Sequence, residues 1–322
     1  MAQALAGWPD LGSLRELVIF AKVPGPATLN DPSRELMQTV FADALKTAAA
    51  PPIRMILSVG CEGIGASGGW LLAEDGVAGE GAARLMLVST ETDIIPEAGR
   101  GEPAHVLAVA CAVRDAMAQS GLAASDIQLV MVKSPVRRNQ ANATGRSRGA
   151  AALGVAVALG EVAENAITPE AMDDPSLFGT RAMTMSGTET GRAEIVILAN
   201  RAGAGGNLVI RSAIMRDIID IGGARRLLES AGARFDADGV LANPDDLGLV
   251  LLKAGIAPDG RLRGRPTHIH GTDIPADKHL RAAASGVLAG LLGSNDAFIT
   301  GGAEHQAAPG QCLIAAIARE TT

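Results

Sequence analysis

The chain has 322 residues, 48% of them hydrophobic, and a formal net charge of -7. That length supports two or three domains with substantial cores, and interspersed charges with an acidic balance exclude the basic stripe of a nucleic-acid binder. Aromatics make up only 2% and tyrosine is absent, which leaves a core of small aliphatic side chains and few platforms for stacked bases.

The opening MAQALAGWPDLGSLREL lacks a charged segment followed by an apolar one, so no signal peptide is expected. No apolar run reaches the roughly 18 residues of a membrane span. Cys61, Cys111 and Cys312 are widely spaced, without a CxxC pair, and read as reduced thiols. A cytoplasmic protein with no nucleic-acid or membrane partner is expected.

The first predicted strand, LVIFAKVPGP, ends in Lys22 just before a proline-containing exit. A helix over NDPSRELMQTVFADAL follows, opened by Asp31 and Pro32 and carrying Arg34. MILSVGCEGIG then reads as a strand ending in Ser58, with Glu62 four residues on. The same order recurs. QLVMVKSPV ends in Lys133, GRSRGAAALGVAVAL carries Arg148 at helical period, and AMTMSGTETG ends in Ser186 with Glu189 three residues on. The third copy is LGLVLLKAGI with Lys253, DKHLRAAASGVLAGLL with Arg281, and FITGGAEHQAAPG with Thr300 and Glu304.

A unit of about 100 residues is too long for a solenoid repeat. It predicts three related α/β domains, over 1–100, 101–218 and 219–322, around a central cleft to which each gives one lysine, one arginine and one hydroxyl. Glu62, Glu189 and Glu304 are expected to cap turns or pair with arginines. Gly63–Gly69 and Gly203–Asn207 lack Gly-x-Gly-x-x-Gly spacing and are predicted to be turns. His268 and His270, with no second histidine pair nearby, do not make a zinc set.

A serine hydroxyl becomes a nucleophile when a base removes its proton, and lysine can serve as that base only when neutral. Burial or a neighbouring cation must therefore lower the lysine pKa from about 10.4. Arginine supplies that cation and planar donors for a carbonyl or developing oxyanion. Three such sets around one cavity suit a small, flat ring bearing several carbonyls.

The motifs VMVKSPV, GRSRGAAALGVAVALGE, MSGTETGRAEIVILAN, PDGRLRG and GGAEHQ, with NDPSR, resemble those of the cyanuric acid hydrolase and barbiturase family of ring-opening amidohydrolases. The resemblance runs from Lys22 onward and implies three homologous domains with pseudo-threefold symmetry around a central active site. It implies hydrolysis of a C–N amide bond in a small cyclic ureide or imide, cyanuric acid first and barbiturate next. It also implies Ser186 as nucleophile and Lys133 as its base. Lys22, Lys253, Ser58, Thr300, Arg34, Arg148 and Arg281 would hold the substrate, with Gly187 and Gly301 forming the tight turns beside it. A homo-oligomer, a tetramer, is implied. No cofactor is expected. The family's structural divalent metal would fall to Glu304 and Gln306, but Gly255 and AAPGQC stand where the family has a glutamate and a glycine-rich turn. Two further departures are Thr300 in place of a serine and GCEG in place of Gly-Thr-Glu-Gly. The first domain is also expected to lack its opening strand and helix. The alternative of a different class is a binding protein that keeps the cavity without turnover.

Overall fold

The computed structural model describes residues 11–25, 32–46, 53–188 and 190–320. The first unit runs β1 (Glu16–Val23), α1 (Ser33–Lys46), β2 (Ile53–Val59) and β3 (Gly68–Glu74). The second runs β4 (Arg84–Glu91), α2 (Pro103–Ser120), β5 (Ile127–Ser134), α3 (Ala143–Ala158), β6 (Ala182–Ser186) and β7 (Glu194–Arg201). The third runs β8 (Leu208–Met215), α4 (Ile221–Ser230), β9 (Leu247–Ala254), the short pair β10 (Arg261–Leu262) and β11 (Arg265–Pro266), α5 (Ala276–Leu292), β12 (Phe298–Gly301) and β13 (Cys312–Arg319).

The sheets share one plan. Their strand orders are β2-β1-β3, β6-β5-β7-β4 and β12-β9-β13-β8. In each, the lysine-bearing strand pairs in parallel with the hydroxyl-bearing strand, and antiparallel with the strand that follows. A parallel pair needs a crossover connection, and the arginine-bearing helix provides it. Among the described residues, the first unit has no counterpart of β4 and α2. Sheet membership changes one strand before the boundaries drawn from the sequence. The strand β4 lies before residue 100 but hydrogen bonds to β7 of the second sheet, and β8 lies before residue 218 but pairs with β13 of the third. The glycine-rich segments 63–69 and 203–207 are turns and strand entries, as predicted.

Alternation along each strand sends one set of side chains outward and the other inward. The outward sets pack under their own helices: Val130 and Val132 with Val109 and Val155, and Leu252 and Ile314 with Leu280 and Leu288. The inward sets from all three sheets meet in one central core that includes Phe20, Ile56, Met131, Met183, Leu251 and Phe298. Phe298 touches Phe20 and Trp70 edge-on, with ring centroids 6.4 Å apart in both cases. Each lysine lies two residues beyond one of these inward residues, on the same face, so the apolar core runs directly into the polar centre.

Phe298 is fully buried at this junction. Phe298→Ala should lower unfolding free energy by about 3–5 kcal/mol, read by urea denaturation. A loss below about 1 kcal/mol would mean that the junction collapses to fill the space and is not rigidly packed.

Candidate active site

The lysine and hydroxyl strands run parallel, so their C-terminal ends emerge together, the usual place for ligands in open α/β sheets. The three emerging ends surround a cavity of about 580 Å³ lined by Arg34, Arg148, Arg281, Ser58, Lys133 and Thr300. Ser186, Gly187, Gly301, Met185 and Asp277 complete the part of the wall that concerns the chemistry. All three predicted arginines therefore reach one cavity, together with a hydroxyl-bearing side chain from each sheet. Lys22 and Lys253 stand behind that wall. A neighbouring cavity of about 450 Å³ shares Thr144, Arg148 and Asp277 but receives none of the three lysines.

Lys22, Lys133 and Lys253 are at most 5% exposed. Lys22 Nζ lies 3.1 Å from Ser58 Oγ and 5.7 Å from the Phe298 ring centroid. Burial first, and then the nearby Arg281 charge, brings its pKa down to about 7. Lys133 Nζ donates to the Leu57 carbonyl of the first unit at 2.9 Å. Lys253 Nζ donates to the Thr184 carbonyl of the second at 2.6 Å, with Thr300 Oγ1 farther off at 3.5 Å. Burial, with the charge of Arg34 for Lys133 and of Arg148 for Lys253, drives both far below the usual lysine range. Two of the lysines thus tie adjacent sheets together, and Lys22 is engaged with a hydroxyl.

The arginines also act between units. Arg148 grips Glu304 through Nε at 2.8 Å and Nη2 at 2.6 Å. Arg281 grips Glu62 through Nε at 2.5 Å and Nη2 at 2.6 Å, and holds Asp277 through Nη1. Burial alone would raise the Glu304 and Glu62 pKa values; their arginine partners outweigh it and hold both below the usual range. These two glutamates pair with arginines, as the sequence led us to expect. Glu189 lies outside the described residues.

One expected equivalence shifts by a residue. Lys22 is paired across the sheet with Ser58, and Lys253 with Thr300. Lys133 is paired with Met185, while Ser186 lies opposite Ser134. The carbonyl that accepts the next unit's lysine precedes the hydroxyl residue in the first corner (Leu57, Ser58); in the second it belongs to Thr184, which precedes Met185. The glycines two residues beyond Ser58, Met185 and Thr300 are Gly60, Gly187 and Gly302. They have φ of +103°, +95° and +78°, and each would place a Cβ within 3.1 Å of an arginine from a neighbouring unit. Met185 is therefore the counterpart of Ser58 and Thr300. Ser186 occupies the position of Val59 and Gly301, and Gly187 is the counterpart of Gly302, not of Gly301. The sequence held a signal for this shift. Glutamate follows Ser58 and Thr300 by four residues but Ser186 by three, and Met185 restores the spacing.

Sequence reasoning also passed over Asp277 on the cavity wall and a buried pair below the middle corner. His105 Nδ1 accepts from Gly101 N–H at 3.0 Å, which leaves Nε2 to donate to Ser134 Oγ at 2.7 Å. Burial and the Arg100 charge lower His105 to about 4, so its imidazole is neutral at pH 7. The Ser134 carbonyl in turn accepts from Gly187 N–H at 2.7 Å, supporting the turn beside the cavity. Ser134 is fully buried, and the pair acts as support below the wall.

The residues suggested for a metal do not form a cation site here. Both Glu304 oxygens hold Arg148, and Gln306 Oε1 accepts from Thr184 N–H at 2.7 Å. A Cβ at position 255 would lie 2.4 Å from the Gln311 carbonyl oxygen, leaving no room for a glutamate there. Among the described residues, no three His, Cys, Asp or Glu side chains cluster suitably for a metal. Among them, too, no helix is long and apolar enough to cross a membrane.

Three α/β units placing buried lysines, arginines and hydroxyls around one small cavity define a pseudo-threefold enzyme scaffold. Residues 10–319 match the model of the amidohydrolase ring-opening proteins, and the chain belongs to that family. It is 35% identical to a cyanuric acid amidohydrolase of Azorhizobium caulinodans, across 95% of this chain and 90% of that one. It is 37% identical to a cyclic amide hydrolase of the same organism, across 73% of this chain and 70% of that one. Among solved structures, the cyanuric acid hydrolase from A. caulinodans superposes with a TM-score of 0.88 at 32% identity, covering 100% of this chain and 94% of that one. Another, a cyanuric acid hydrolase described as an innovation by structural concatenation, superposes with a TM-score of 0.89 at 27% identity, covering 99% and 94%.

Gly302→Ala tests the close approach of backbone to arginine. Its φ is +78° and the added Cβ would sit 2.5 Å from Arg148 Nη2. The left-handed conformation alone costs a non-glycine residue about 1–2 kcal/mol, and the Arg148–Glu304 pair must also shift. Gly160, with φ +72° and nothing within 4 Å of the added atom, should lose only the conformational part. Thermal unfolding should rank Gly302→Ala well below Gly160→Ala; equal melting points would remove the packing argument.

Proposed function

We propose that this chain opens a small cyclic ureide or imide, of the kind named for its cyanuric acid-hydrolysing relatives, by attack of a lysine-activated serine. The observation that carries the reading is the Lys22–Ser58 contact at 3.1 Å, with Ser58 on the wall of the central cavity and Lys22 behind it brought to a pKa of about 7. About half of such a lysine is neutral at pH 7, able to accept the serine proton without a large energetic penalty.

In this reading Ser58 Oγ attacks a ring carbonyl carbon as its proton passes to Lys22 Nζ. The carbonyl oxygen becomes an oxyanion facing guanidinium donors, with Arg281 the one whose charge already acts on Lys22. The C–N bond then breaks. The departing ring nitrogen takes the proton from Lys22, leaving an acyl ester on Ser58. Water activated by the same lysine releases the opened product and restores the serine. Arg34 and Arg148 hold other carbonyls of the ring and fix which one meets the serine. No cofactor takes part in this sequence.

A second reading keeps the nucleophile at Ser186 with Lys133 as its base, supported by their shared position on the cavity wall. Lys133, however, points its Nζ to the Leu57 carbonyl, and its partner across the sheet is Met185.

Purified protein incubated with cyanuric acid, barbituric acid and cyclic imides should open at least one ring. Ser58→Ala should reduce kcat by roughly 10⁴-fold or more, with Ser186→Ala much milder. The reverse ranking would move the chemistry to Ser186 and Lys133. Ring binding without turnover of any ring would instead support a binding protein.

The pH profile gives a separate check. Lys22 must be neutral to act as base, so kcat/KM should rise with pH through a midpoint of about 7. A profile flat from pH 6 to 8 would exclude Lys22 as the titrating base.

A further inference from the structure

The middle corner breaks the threefold pattern, and what stands there bears on which ring fits. We propose that Met185 is the specificity-determining residue of this cavity, and that it selects a six-membered cyclic ureide or imide carrying a carbon edge in place of one ring N–H. This rests on the reading of the cavity as the ring-opening site.

Donors and acceptors around the cavity decide which ring atoms fit where. Guanidinium groups only donate, so Arg34, Arg148 and Arg281 match carbonyl oxygens of the ring. The hydroxyls of Ser58 and Thr300 can also accept, so in the bound ring, before Ser58 attacks the neighbouring carbonyl carbon, they match the N–H groups that alternate with those carbonyls. A ring with three carbonyls and three N–H groups needs a third such acceptor. The threefold-equivalent position holds the Met185 thioether, which is a weak acceptor and no donor. Met185 is 3% exposed and packs with Met183, Met131 and Phe298 in the central core. A ring N–H pressed against it gives up water for no adequate partner. A methylene placed there gives up nothing.

Ser186, although on the cavity wall, does not stand in the equivalent place. It takes the position of Val59 and Gly301, one residue farther along the strand end, opposite Ser134. Nor does Lys133 fill the gap, because its Nζ is held by the Leu57 carbonyl of the neighbouring unit. The threefold-equivalent positions thus present two hydroxyls and one thioether, with the Ser186 hydroxyl displaced by one residue along the wall.

The test compares cyanuric acid, which has N–H on every alternate edge, with barbituric acid and dihydrouracil, which carry carbon edges. Both kcat/KM and, by calorimetry, Kd would be measured for the native chain, Met185→Ser and Met185→Leu. The native chain should favour a carbon-edged ring by roughly 10-fold or more. Met185→Leu should keep that order, and Met185→Ser should move the ratio at least 10-fold toward cyanuric acid. A native preference for cyanuric acid, or a ratio that Met185→Ser leaves unchanged, would overturn the assignment. The native ratio stands even where a variant fails to fold. Rings bound in the expected order but never opened would sink the hydrolase reading and leave this one intact. Rings opened without that order would do the opposite.

Discussion

Three lysines buried where three sheets meet set the terms for everything around them. A charged ammonium in such a place is costly, and three together repel one another. The protein meets this constraint by lowering the charge and by supplying acceptors. Lys133 and Lys253 are fastened to carbonyls of the next unit, so the groups that are hardest to bury also join the sheets. Burial lowers the lysine pKa values and the positive potential of the arginines lowers them further, while the glutamates opposite the arginines prevent that charge from accumulating. Assembly of the core and the electrostatics of the cavity therefore share one set of contacts.

Pseudosymmetry makes the exceptions informative. With identical corners, any one of three lysine–hydroxyl pairs could attack. Here the corners differ. The first has Lys22 against a serine, the third has a longer approach to a threonine, and the second has a thioether where the hydroxyl would be. Lys22 also lies over the Phe298 ring, beside the central apolar core that lowers its pKa. Met185 extends that same core into the cavity wall. The thioether at one corner and the close lysine–serine contact at another both lie where the apolar centre borders the cavity.

Much of this was legible before any coordinates. Repetition of lysine, arginine, hydroxyl and glutamate in a strand–helix–strand frame identified the units, and the structure brings all three arginines to one cavity. The one-residue shift at the middle corner was harder to see, because Met-Ser-Gly offers a serine next to the position that matters. Period-two alternation does not choose between neighbours at the end of a short strand. The count to the following glutamate pointed to Met185, and cross-strand pairing settled it. The edges of the units were blurred for a similar reason: β4 and β8 join their sheets by hydrogen bonds to strands far away in sequence.

By itself the sequence determined the α/β class, the threefold repetition and the residue types that can build a cation-rich site without histidine, because periodicity and motif order are local properties of the chain. Only the tertiary structure decided which lysine faces a hydroxyl, which arginine holds which glutamate, and that Met185 closes the third corner. Those facts depend on strand register and on contacts between units, where a shift of one residue exchanges the side chains facing the cavity while leaving every local pattern intact.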